Sequence, residues 1–116
     1  RLFLAGIGAE VMEAEDGEGA VRLAAELPFD VILMDIRMPG LDGPAAFLLI
    51  RGEPGPNDTT PVLAITSDAD ADLVPRLLTM GFADVVAKPL EPAVLFAAIA
   101  RATTFVEYPQ EQSHAG

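Results

Sequence analysis

Three short apolar runs constrain this chain more than anything else in it. Val31-Ile32-Leu33-Met34 is unbroken and stops at Asp35. Pro61-Val62-Leu63-Ala64-Ile65 stops at Thr66, with proline tolerated at a strand's first residue. Asp84-Val85-Val86-Ala87 is closed by Lys88-Pro89. Runs this short and apolar on both faces are expected of strands covered by helices on both sides. A fourth, alternating candidate is Glu10–Ala14. Between the runs the period changes to that of helices. Asp16-Gly17-Glu18 opens one, with Ala20, Val21, Ala24 and Leu27 on a common face and Pro28 at its end. Ala46, Phe47 and Ile50 mark a second that reaches about Arg51. Val74, Leu77 and Leu78 mark a third that closes at Met80-Gly81, with Pro75 in its first turn or breaking it. The last spans about Pro92 to Thr103, with Val94, Leu95, Ala98, Ile99 and Ala102 inward. Alternating strands and helices predict an α/β domain with a parallel sheet.

Composition narrows the function. The 116 residues suit one domain, read as residues 1–104 followed by a polar tail at 105–116. Seven Lys+Arg stand against eighteen Asp+Glu, a net charge of −11. That argues against nucleic acid and against contact with an anionic membrane. There is no cysteine and a single histidine, His114, so thiolate sites and multi-histidine metal clusters are excluded. No apolar run approaches the roughly 18 residues of a membrane span. No secretory signal is read, and a cytoplasmic setting is expected. The acids at 68, 70 and 72 lack the glycine and glutamate of a calcium loop, so they read as helix caps.

Asp35, Thr66 and Lys88 each end a strand. In a parallel sheet all carboxyl ends share one edge, where ligands bind, so these three residues should meet. Asp35 offers a carboxylate nucleophile or metal ligand. Thr66 offers a hydroxyl. Lys88, the only lysine of the chain, offers a mobile charge for a phosphate oxygen. Taken singly, each has a plainer reading as a cap, a turn residue or a surface ion pair. Taken together, three independent strand ends would have to converge by accident.

Asp16-Gly17, Val31 to Asp35, Met38-Pro39-Gly40-Leu41-Asp42-Gly43, Thr66 and Lys88-Pro89 together resemble the receiver domain of two-component response regulators. The wording around Asp35, with Ile50-Arg51, is most similar to receivers of hybrid sensor histidine kinases. The resemblance implies a flavodoxin-like, doubly wound parallel sheet of order 2-1-3-4-5. It also implies that Asp35 accepts a phosphoryl group from a phosphohistidine on a histidine kinase or histidine phosphotransfer domain. Thr66 would be the switch hydroxyl, Lys88 the phosphoryl-pairing lysine, and Pro89 the proline after a cis bond. Mg²⁺ would be held by Asp35, by the backbone carbonyl of Arg37 and by acids upstream of Arg1.

Two departures from the family carry expectations of their own. Residues 1–6 read as the end of a helix stopped at Gly6, so the family's first strand is missing from these 116 residues. Its place lies between Glu10–Ala14 and Val31–Met34. A strand from upstream or from a neighbouring chain is expected there. Failing that, Glu10–Ala14 should pair directly with Val31–Met34 or swap between the protomers of a homodimer. The second departure is Val85, where many receivers carry an aromatic reporter of phosphorylation. Two other functions remain open. One is a small aspartate-nucleophile phosphatase of the haloacid dehalogenase type, which would want an acid where Arg37 stands. The other is a pseudo-receiver used only for dimerisation.

Overall fold

The computed structural model describes residues 2–4, 9–13, 16–37, 40–52, 54–67 and 72–104, with backbone alone at 2–4, 9 and 104. Nine elements follow in the order β1 (Leu2–Leu4), β2 (Ala9–Glu13), α1 (Gly17–Glu26), β3 (Val31–Asp35), α2 (Gly43–Gly52), β4 (Val62–Thr66), α3 (Leu73–Met80), β5 (Asp84–Ala87) and α4 (Pro92–Thr104). They form one five-stranded sheet of order β1-β2-β3-β4-β5. The last four strands run parallel, and β1 lies antiparallel at the edge against β2.

That order decides the question of the missing strand. Val11 pairs with Val31, Met12 with Ile32 and Glu13 with Leu33. The β2 segment therefore pairs directly with β3 in the same chain, and no strand intervenes. The four parallel strands stand in the order that 2-1-3-4-5 leaves when its first member is removed. The expectation of a helix over residues 1–6 is corrected, since Leu2–Leu4 is a strand. Leu-Phe-Leu fits either period, and the open edge of β2 supplies backbone partners that a helical turn would leave unused. Gly6, Met38, Pro39, Asp68, Asp70 and the tail with His114 lie outside the described residues.

Alternation along the strands divides the core in two. Met12, Ile32, Met34, Val62 and Ala64 face α1, α2 and α3, where Ala20, Ala24, Ala46, Phe47, Ile50 and Leu77 meet them. Val11, Val31, Leu33, Leu63, Ile65 and Val86 face the other way, towards Ala98 and Ile99 of α4. Right-handed crossovers between successive neighbours put three helices on one side and leave the last for the opposite side. Phe47 stacks on Phe82 with ring centroids 4.2 Å apart.

Helix ends follow their sequence signals in part. Asp16 Oδ1 accepts from Gly19 N at 2.6 Å and caps α1, and α3 stops at Gly81 with φ +122. Asp72 precedes α3 in helical conformation and makes no side-chain capping bond, which corrects its reading as a cap. Val94, expected inward, is 52% exposed, and Leu78 on α3 is 45% exposed.

Candidate functional site

The parallel register brings the three strand ends to one edge. Asp35 lies opposite Ile65, one residue short of Thr66. Thr66 in turn lies opposite Ala87, one residue short of Lys88. The middle strand thus sets Thr66 between the other two. Lys88 reaches across it, and its Nζ donates to Asp35 Oδ2 at 2.5 Å. The Lys88 backbone N donates to Thr66 O at 2.9 Å, so the lysine's base is fixed to β4 before its side chain leaves. Thr66 is 3% exposed. The Lys88–Pro89 peptide bond is cis.

The second oxygen of the carboxylate is also occupied. Arg37 N donates to Asp35 Oδ1 at 3.0 Å, a turn that Asp forms readily with the backbone two residues on. Both partners of the ion pair keep water contact, with side chains 30% exposed at Asp35 and 41% at Lys88. The carboxylate is thus oriented by two donors and still reachable from outside.

The backbone beyond Asp35 is held by tertiary contacts. Ile36 N donates to Ile65 O at 3.0 Å, and Gly43 N to Ile36 O at 3.1 Å. A side chain at Gly43 would overlap the carbonyl oxygen of Asp35. Only glycine lets α2 begin this close to the strand end. The signal was present as a glycine, but the approach it permits is tertiary.

The sequence profile of the response regulator receiver domain matches residues 1–100. This chain belongs to that family. The histidine-protein kinase BarA of Escherichia coli (strain K12) is 46% identical over 77 residues, which are 66% of this chain and 8% of BarA. The rice two-component response regulator ORR41 (Oryza sativa subsp. japonica) is 40% identical over 102 residues, 86% of this chain and 78% of that protein. The chain therefore spans less than a tenth of the first of these relatives. A solved receiver domain of the sensor histidine kinase PA1611 from Pseudomonas aeruginosa PAO1 superposes with TM-score 0.73 at 34% identity. It covers 88% of this chain and 83% of that one, and it carries a magnesium ion in its active site cleft. The receiver fold and its likeness to hybrid-kinase receivers stand on these matches. No helix among the described residues is long and apolar enough to cross a membrane.

Proposed function

We propose that this receiver accepts a phosphoryl group on Asp35 from a phosphohistidine of a histidine kinase or histidine phosphotransfer domain. The receiver unit is taken as residues 1–104, with a polar tail at 105–116, and works in the cytoplasm without nucleic acid. The observation that carries this reading is the Asp35–Lys88 ion pair, spanned across the end of β4 at Thr66. In the transfer, an Asp35 carboxylate oxygen forms a bond to phosphorus as the phosphorus–nitrogen bond breaks. The bonding pair returns to the imidazole nitrogen of the donor.

Little covalent help is needed for such a step. Positioning and charge neutralisation dominate it. Arg37 N and Lys88 hold the two carboxylate oxygens in a defined orientation before attack. Attack places a dianionic group beside Lys88, whose ammonium can follow the charge from carboxylate to phosphoryl oxygen. The Thr66 hydroxyl can donate to another phosphoryl oxygen. Because both residues belong to neighbouring strand ends, these new bonds draw the ends of β4 and β5 towards the phosphoryl group.

Mg²⁺ fits this donor set in a limited way. No group of three or more His, Asp or Glu side chains gathers among the described residues, so a cage of protein ligands is not formed by them. Mg²⁺ takes one or two carboxylates, keeps several waters and accepts phosphate oxygens. Asp35 and the Arg37 carbonyl are the residues that would hold it, and it would supply neutralisation of the phosphoryl oxygens.

Asp35→Asn tests the assignment. The variant should fold with unchanged circular dichroism and take up no phosphoryl group from acetyl phosphate or from a phosphorylated histidine domain. Intact-mass spectrometry showing wild-type phosphorylation of the variant would remove Asp35 from this role.

A further inference from the structure

The segment that leaves Asp35 is fixed at its two ends, by Ile65 of β4 and the Asp35 carboxylate at Ile36 and Arg37, and by the Gly43 N–Ile36 O bond at the start of α2. Between those ends, Gly40 and Leu41 lie against a different element, the first turn of α1. Glu18 Oε1 accepts a hydrogen bond from Leu41 N at 3.4 Å. A Cβ at Gly17 would overlap the Leu41 carbonyl oxygen. Gly40 takes φ +73, and a side chain there would meet the Glu18 carboxylate at 2.8 Å. Two glycines, one on each side, allow the two backbones to touch.

Glu18 is not needed to finish its own helix. Asp16 already caps α1 through Gly19 N, and the carboxylate of Glu18 is turned outward to the loop. The path from there to the reacting group is short and continuous. Leu41 leads through Asp42 to Gly43. Gly43 N is bonded to Ile36 O, and its Cα packs against the Asp35 carbonyl so closely that no side chain fits. Asp42 is itself fixed, since its Oδ1 accepts from Ala45 N at 3.0 Å. A displacement of Leu41 is therefore passed to the backbone that carries Asp35 rather than absorbed by a slack loop.

Resting on the phosphoacceptor reading of Asp35, we propose that Glu18 is a positioning residue for phosphoryl transfer. It holds the Leu41 amide and thereby the orientation of the Asp35 carboxylate towards an incoming phosphoryl group. Its role is that of a hydrogen-bond acceptor, not of a charge. The distinction makes the proposal testable, because a negative charge near the site would by itself repel an anionic donor.

The experiment compares phosphoryl uptake from acetyl phosphate with MgCl2, read by intact-mass spectrometry, in the wild-type chain, Glu18→Ala, Glu18→Gln and Asp35→Asn. Melting temperatures and the Leu41 amide resonance are recorded alongside. Glu18→Ala should load about threefold to tenfold more slowly, the range set by one hydrogen bond of ordinary net strength. Its Leu41 resonance should move, its circular dichroism should not, and its melting temperature should fall by no more than the few degrees that one hydrogen bond is worth. Glu18→Gln keeps an acceptor oxygen without the charge and should load within about twofold of wild type, the residual difference being the small charge effect of an exposed side chain. Wild-type loading by Glu18→Ala, or equal slowing by Glu18→Gln, would overturn the proposal. So would faster loading by both variants, which is the signature of charge alone. Loading by Asp35→Asn would instead defeat the reading of Asp35, so the two failures are told apart.

Discussion

Asn57 is 1% exposed and uses every hydrogen-bonding position of its side chain. Its Nδ2 donates to Ala24 O at 2.7 Å and to Leu27 O at 2.6 Å. Its Oδ1 accepts from Phe29 N at 2.9 Å and from Thr60 Oγ1 at 3.0 Å. One amide thus ties the end of α1, the start of β3 and the loop before β4. Arg51 closes the same loop from α2, donating to the carbonyls of Asn57, Asp58 and Thr60 while lying over the Phe47 ring. Burial holds the Arg51 guanidinium below its ordinary pKa, with the Asp58 carboxylate pulling the other way. It stays charged at any pH a protein survives. Asn57→Ala removes four hydrogen bonds at once, three of them buried, so urea denaturation should show a loss of about 3–5 kcal/mol. A loss under about 1 kcal/mol would mean that water replaces the amide and that the network is dispensable. This role was not legible in the sequence. The partners of Asn57 lie some thirty residues away, and no local pattern encodes them. Asp35 and Lys88 were legible for the opposite reason. Each stands at the abrupt end of an apolar run, and a parallel sheet aligns such ends.

At the scale of elements, β3 and β4 carry the core. Each has a paired strand on both sides, and their apolar residues are between 0% and 7% exposed. Their amides should exchange with solvent at least about tenfold more slowly than those of β5, which is paired on one side only among the described residues. Hydrogen exchange followed by NMR or mass spectrometry checks this, and equal protection across the three strands would refute it. The unbroken apolar runs made these two strands readable, because nothing but burial on both faces explains them. β1 was not readable, since three apolar residues satisfy a helix and a strand equally and only the free edge of β2 chooses. One position on α4 was misread for a related reason. The 3.6-residue period places Val94 near the apolar stripe of α4, but how far a sheet extends beneath a helix is decided by strand order and not by the helix.

At the scale of the whole molecule, the charge of −11 opposes compaction through self-repulsion. Ion pairs such as Lys88–Asp35 and Arg101–Asp84 lie at the surface and contribute at most about 1 kcal/mol each, so screening should relieve more repulsion than it removes attraction. Raising NaCl from 10 to 200 mM shortens the Debye length from about 30 Å to under about 10 Å. The melting temperature should rise by about 4 °C, the shift that corresponds to about 1 kcal/mol in a domain of this size. A fall over the same range would show that attractive pairs dominate the surface. The sequential strand order also bears on how the molecule comes to exist. Among the described residues every parallel strand pairs with the strand before or after it in the chain, so none of these pairings waits for a distant segment to return. Loops closed between successive neighbours cost less entropy than those that skip one, and low contact order favours rapid folding. The sheet can grow strand by strand in the order of synthesis, each crossover helix covering the strand laid down before it.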